Sequence, residues 1–268
     1  FEVDFAPVDE KGFVDVEALA GLIRPDTTLV SVMAVNNEIG SVQPIKAISE
    51  LLADKPTISF HVDAVQALAK IPTEKYLTER VDFATFSGHK FHGVRGVGFV
   101  YIKSGKKIMP LLTGGGQERD YRSTTENVAG IAATAKALRL SMEKLDIFTS
   151  ETGQMKAVIR QALLDYPDIF VFSDEEEFTS HILTFGIKGV RGEVIVHAFE
   201  DYDIFISTTS ACSSKAGKPA GTLIAMGVDK DKAQSAVRLS LDLENDMSQI
   251  EQFLTKLKLI YNQTRKVR

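Results

Sequence analysis

The chain is poor in cysteine: Cys212 is the only one in 268 residues. A lone thiol excludes an internal disulfide and fits a reducing compartment, so a cytoplasmic location is expected. No run of about 18 apolar residues occurs, and no membrane-spanning helix is expected. Basic charge is short as well. Lys and Arg number 31 against 36 Asp and Glu, a net charge of -5, which argues against a nucleic-acid partner held by bulk charge. No Cys/His cluster has ligand spacing, so metal binding has no support. A signal-peptide pattern, an internal repeat, a low-complexity tract and a long linker are all missing, and the first residue is Phe1 rather than Met. What is present is an ordinary globular composition, 44% hydrophobic and 25% charged, at a length for one large domain or two modest ones.

Strand-like and helix-like patterns alternate in the first half. Residues 28–35 are β-branched and apolar and predict a strand. Ile45, Ile48, Leu51 and Leu52 share one face of a helix over 45–52. Further strands are expected from Thr57 through "HVDAVQ", over 81–86 and over 97–102. The alternation predicts a parallel α/β sheet, whose ligands gather beyond the carboxyl ends of the strands. A helix over 127–145 carries Ile131, Ala135, Leu138, Met142 and Leu145 on one face. A second begins near Ser150 and stops before Pro167, with a stripe of Met155, Val158, Ile159, Ala162 and Leu163. Strands are expected at 170–172, 181–185, around Ile204 and at 236–241, and helices at 192–200, 219–227 and near the end of the chain. Two lobes follow: residues 1–140, parallel α/β, and residues 141–268, smaller and α+β. The acidic run 174–177 reads as a solvated loop.

The ends of the first three strands supply Asn37; His61, Asp63 and Gln66; and Ser87, His89 and Lys90. In neighbouring parallel strands these side chains converge on one rim. A carboxylate, an amide, a hydroxyl and a lysine there suit a pyridine ring bearing a phosphate: the lysine forms a Schiff base with an aldehyde and the carboxylate pairs with the ring nitrogen. His61 reads as structural, His92 as structural or as part of the glycine-rich turn near the phosphate, and His181 and His197 as ordinary. "TGGGQER" at 113–119 suits either a phosphate cradle of backbone amides or a turn that needs glycine conformations.

"VNNEIG", "HVDAVQ" and "SGHK", in that order, resemble the class V aminotransferase group of fold-type I pyridoxal-phosphate enzymes. "STTSACSSKAG" and "SAVRLSL" narrow the resemblance to the cysteine desulfurases. It spans nearly the whole chain. The resemblance implies an α/β, fold-type I transferase fold: residues 1–140 as the C-terminal portion of the large cofactor-binding domain, and 141–268 as the small domain with the catalytic cysteine loop. It implies pyridoxal 5'-phosphate bound covalently by Lys90, which also moves protons. Asp63 is then the partner of the pyridine nitrogen and Gln66 of the phenolic oxygen, with Ser87 and His89 on the phosphate. Asn37 and Arg238 bind the substrate carboxylate, where only an Arg offers a planar fork. Thr125, in "RSTTENV", reaches the phosphate of the second copy in a homodimer; Thr124 stands there in place of the group's glycine. Cys212 takes sulfur from L-cysteine as a persulfide, releasing L-alanine, its thiolate favoured by Lys215 and Lys218.

The resemblance also implies a sulfur-acceptor protein, either an iron–sulfur scaffold or a tRNA-thiolation protein. Two other readings stand beside it: a selenocysteine lyase or another class V aminotransferase, and an inactive piece that retains only partner binding. Members of the group are longer at the N-terminus, where a phosphate-binding Gly-Thr loop and a ring-stacking histidine lie. Neither is in this sequence, so a truncated chain that binds cofactor poorly is expected.

Overall fold

The computed structural model describes residues 1–174, 176–209 and 221–266, with side chains through residue 264. Helix α1 (Val16–Leu22) is capped by Asp15, whose carboxylate accepts the Ala18 amide. Strand β1 (Leu29–Met33), helix α2 (Ile45–Leu51), strand β2 (Ser59–Asp63) and strand β3 (Phe83–Ser87) follow. A one-turn 3-10 helix, Gly88–Phe91, then leads to β4 (Gly98–Ile102). Asn127 caps α3 (Val128–Glu143) through the Gly130 amide. After it come α4 (Leu145–Leu164), β5 (Ile169–Val171), β6 (Ile182–Ile187), α5 (Gly192–Glu200), β7 (Ser207–Thr208), α6 (Gly221–Ala225), α7 (Lys230–Gln234), β8 (Ala236–Ser240) and α8 (Met247–Lys266).

The chain forms two compact units. One joins residues 24–34 to 45–145; the other gathers 1–23, 35–44 and the chain from Asp146 onward. The first unit carries a sheet in the order β1-β2-β3-β4. β1, β2 and β3 run parallel, with Met33 beside Asp63 and Asp63 beside Thr85. β4 runs antiparallel to β3, against the expectation of an all-parallel sheet. Only residues 88–97 separate the two strands, too few for a parallel crossover, which takes a dozen or more. Phe60, Ile48, Leu52, Tyr76 and Phe91 are fully buried in this unit.

Its helix α3 packs by a face other than the predicted one. Ile131 and Met142 are exposed, while Gly130 and Thr134 are buried. A Cβ on Gly88 would lie 2.9 Å from the Thr134 methyl, and one on Gly130 2.8 Å from a Val97 methyl. The contact is set by small residues that allow close approach rather than by the apolar stripe.

The second unit holds an antiparallel sheet in the order β5-β6-β8-β7. Its core joins Phe185 of β6 and Phe199 of α5 to Phe253, Leu257 and Ile260 of α8 and to Ile159 and Leu163 of α4. Helix α4 starts at Leu145, ahead of the expected Ser150. The strand expected around Ile204 lies at Ser207–Thr208 instead. Asp203 takes a left-handed φ of 58° and the Ile204 amide returns to the Phe199 carbonyl at 3.2 Å, so Ile204 closes the end of α5. Residues 35–44 belong to this unit through the Thr179 amide on the Gly40 carbonyl, 2.8 Å, and the Ser173 hydroxyl on the Ile39 carbonyl, 2.6 Å.

Candidate functional site

In the parallel-sheet unit, Asp63 is the last residue of β2. Its backbone is held from both sides: the Ala34 amide donates to the Asp63 carbonyl at 2.8 Å, and the next amide, Ala64, donates to the Thr85 carbonyl at 3.1 Å. One carboxylate oxygen accepts the Val65 amide at 3.0 Å. The half-buried side chain therefore has a fixed stem and an oxygen left over. Gln66 follows in the turn, also half-buried. Ser87 ends β3 and shares the face of Thr85, two residues back, which is the register partner of Asp63.

Lys90 lies in the single turn that begins where β3 stops. That turn is tightly tied. The Gly88 amide donates to the Val97 carbonyl and the Gly93 amide to the Gly88 carbonyl, both at 2.9 Å. The Ser141 hydroxyl of α3 donates to the Phe91 carbonyl at 3.2 Å. His92 takes a left-handed φ of 65° to leave the turn. A Cβ on Gly93 would lie 2.7 Å from the Gly88 carbonyl oxygen, which explains the glycine. Lys90 is half-buried and His89 exposed. Thr125 is exposed just ahead of the α3 cap. Thr124 is absent from the positive-φ positions of the described residues, so the turn there forms without a glycine conformation. In the loop before it, Gly114 and Gly116 have φ of 148° and 83°, and Glu118, Arg119 and Asp120 are left-handed in succession.

His61 precedes Asp63 by two residues on the same face of β2. Its Nδ1 lies 2.7 Å from the Ser31 hydroxyl and its Nε2 3.1 Å from the Thr85 hydroxyl. Burial lowers its pKa below the usual value, against the opposing pull of Asp63.

The other unit builds a second cluster of its own. Asn36 folds into a turn, its side-chain oxygen accepting the Glu38 amide at 2.8 Å and the Ile39 amide at 3.0 Å. This presents the Asn37 carbonyl, which accepts Arg238 Nη1 at 2.7 Å. Asn37 and Arg238, two predicted site residues 201 positions apart, thus meet. Arg238 stands on β8 opposite Thr184 of β6 and Ser207 of β7. Its Nε is buried without a partner among the described residues, as is Glu38 Oε2. Burial raises the Glu38 carboxyl, while hydrogen bonds from Thr222 and the Arg238 charge pull it down less strongly. The sequence reading did not single out Glu38; the signal was its place between Asn37 and the glycine of "NNEIG". Cys212, Lys215 and Lys218 lie outside the described residues.

The chain divides its donors in two: an amine, a carboxylate, an amide and a hydroxyl at the strand ends of one unit, and a pinned guanidinium in the other. Known proteins share this arrangement of sequence. The "Aminotransferase class-V" family matches residues 1–253. A NifS/IcsS protein homolog of Lactobacillus delbrueckii subsp. bulgaricus is 49% identical over 268 residues, covering 100% of this chain and 70% of its own length. A cysteine desulfurase IscS of Clostridium botulinum is 38% identical over 270 residues, covering 100% and 68%. A solved NifS-like protein superposes with a TM-score of 0.89 at 36% identity, over 98% of this chain and 68% of that one. The chain belongs to the class V aminotransferase family.

Proposed function

We propose that this chain carries the chemistry of a pyridoxal-phosphate-dependent cysteine desulfurase, acting in the cytoplasm as a homodimer. The observation that carries the reading is the clamped turn that holds Lys90 directly beyond β3, with Asp63 at the end of the adjoining strand. The whole-chain similarity to proteins named cysteine desulfurase supports the substrate. The donor set fits the cofactor: a primary amine for an aldehyde, a carboxylate with an oxygen to spare for a ring N–H, an amide, and hydroxyl and imidazole groups for a phosphate. Pyridoxal phosphate, when bound, supplies that aldehyde and a ring that withdraws electrons from the substrate α-carbon.

The protein's own groups do the rest. Lys90 would hold the cofactor by its aldehyde carbon and give way there to the amine of L-cysteine. The Lys90 amine would carry the α-proton of the substrate. Asp63 would accept the ring N–H through its remaining carboxylate oxygen. Gln66 would donate to the phenolic oxygen; Ser87 and His89 would hold the phosphate, with Thr125 reaching it from the second copy. Arg238, pinned through Nη1 by Asn37, offers its remaining N–H groups to the substrate carboxylate. The Cys212 thiolate attacks the substrate sulfur. An S–S bond forms as the C–S bond breaks, and the electron pair left on carbon is protonated to give alanine. The persulfide then passes to an acceptor protein of iron–sulfur assembly or tRNA thiolation.

The test is alanine and sulfide release from L-cysteine by the purified chain with added pyridoxal phosphate. Lys90→Ala is expected to abolish both the visible lysine-linked absorbance and turnover. Cys212→Ala is expected to keep the absorbance and lose sulfur release. Sulfur release that persists in Cys212→Ala would overturn the persulfide route.

A further inference from the structure

The histidine beside Asp63 has no task in that reaction, yet its surroundings are specific. Ser31 of β1 and Thr85 of β3 reach its two ring nitrogens from opposite sides, at 2.7 Å and 3.1 Å. Ser31 is the register partner of His61, and Thr85 is the register partner of Asp63. The bridge therefore spans all three parallel strands, running from the level of His61 on β1 to the level of Asp63 on β3. We propose that Ser31, His61 and Thr85 form a cross-strand bridge that keeps the imidazole off Asp63, so that the carboxylate stays free to receive a cationic ring nitrogen. This rests on the cofactor reading given above.

The need for such a device follows from strand geometry. His61 and Asp63 point to the same face, about 7 Å apart along the strand. An imidazole free to turn toward the carboxylate would be favoured in its charged form and would pair with it. That pair would neutralise Asp63 and occupy the oxygen that the Val65 amide leaves open. The bridge prevents this in two ways. Both nitrogens are engaged by hydroxyls, which donate or accept as a neutral ring requires. Partial burial also disfavours the imidazolium, and this outweighs the pull of Asp63. The neighbours facing the ring are Ser31 and Met33 from β1, Phe83 and Thr85 from β3, and Asp63 from β2 itself. Asp63 alone among them titrates. His61 acts on the site through Asp63 and is a positioning residue.

The test uses the full chain, first without cofactor. Ring nitrogen resonances follow His61 and the side-chain carboxyl resonance follows Asp63 through a pH titration by NMR. The wild-type ring is expected to stay a single neutral tautomer down to below the ordinary histidine range. In Ser31→Ala with Thr85→Val, the His61 pKa is expected to rise by about 1–3 units, the range for an opposite charge brought into contact, and that of Asp63 to fall. Adding His61→Gln is expected to return Asp63 to its wild-type titration. If the double substitution leaves both titrations in place, the proposal is wrong.

A second arm reads cofactor binding by the visible band that depends on Lys90. Wild type is expected to bind equally at pH 6 and pH 8. The double variant is expected to bind about tenfold more weakly at pH 6 than at pH 8, the effect of one pKa unit, and the triple variant to bind equally at both. A double variant whose binding does not change with pH would also overturn the proposal. If wild type gives no Lys90-dependent band, the cofactor reading fails, and the two NMR titrations alone decide the bridge.

Discussion

At the scale of single residues, Glu38 shows how packing sets a charge. Burial raises its carboxyl above the unfolded value, so the folded protein keeps this proton longer than the unfolded chain. Stability on this account falls as pH rises from the unfolded carboxylate range through the folded pKa. Glu38→Gln removes that decline. Its Tm relative to wild type is expected to be higher at pH 7 than at pH 4, as read by thermal melts at both; an equal difference at the two would contradict it. The positions of Asp63 and Lys90 were legible in sequence because each follows an apolar run that can only be a strand, and the strand's end is where polar side chains gather. The surroundings of Glu38 were not legible, since Thr222 and Arg238, which pull its carboxyl down against burial, are distant residues that the fold brings to it.

At the scale of elements, the strands and long helices were readable from β-branched runs and from helical periodicity. Their contacts were less so. The predicted stripe of α3 is largely exposed, because the helix meets Gly88 of the lysine turn through Thr134 and Val97, just before β4, through Gly130. A hydrophobic pattern does not signal a contact made by small residues. Gly88→Ala would place a methyl 2.9 Å from Thr134 and 3.0 Å from the Val97 carbonyl. A loss of about 1–3 kcal/mol is expected in urea unfolding, the usual cost of overpacking, with partial recovery on adding Thr134→Ala. The antiparallel sense of β4 was missed for a similar reason, since apolar content carries no direction.

A second junction fixes the other end of the sheet. Arg80 donates to the carbonyls of Leu52, Lys55 and Ile58 at 2.9, 3.0 and 2.6 Å and pairs with Asp82 at 2.7 Å. Asp82 also takes the Phe60 amide at 2.9 Å and Lys106 at 3.2 Å. Burial pushes its carboxyl up, but these partners together hold it below the usual range. The stability it provides is present above the unfolded pKa and is lost as pH falls through the folded one. Arg80→Met leaves this carboxylate with Lys106 and the Phe60 amide. A loss of about 3–5 kcal/mol is expected at pH 7, the cost of breaking a buried pair. The loss should shrink below about pH 4, where the carboxyl is protonated in the unfolded chain. A loss that is the same at both pH values would show that the ion pair is not its source.

At the scale of the whole molecule, charge and surface act together. The chain carries -5 and has a pI near 5.6, while Met109 and Leu111 are 91% and 95% exposed. Light scattering is expected to rise as pH approaches the pI, where self-repulsion vanishes, and Met109→Glu with Leu111→Glu to reduce it. Scattering unchanged by the substitutions would place the association elsewhere. Among the described residues no helix is long and apolar enough to cross a membrane. The path of the backbone has its own consequence. It passes from one compact unit to the other after residues 23, 34, 44 and 145. A cut at 145 would not release two self-sufficient halves: the C-terminal half would lose the Ile39 carbonyl that Ser173 binds and the Asn37 carbonyl that holds Arg238. Any dissection has to splice 1–23 and 35–44 onto the later residues.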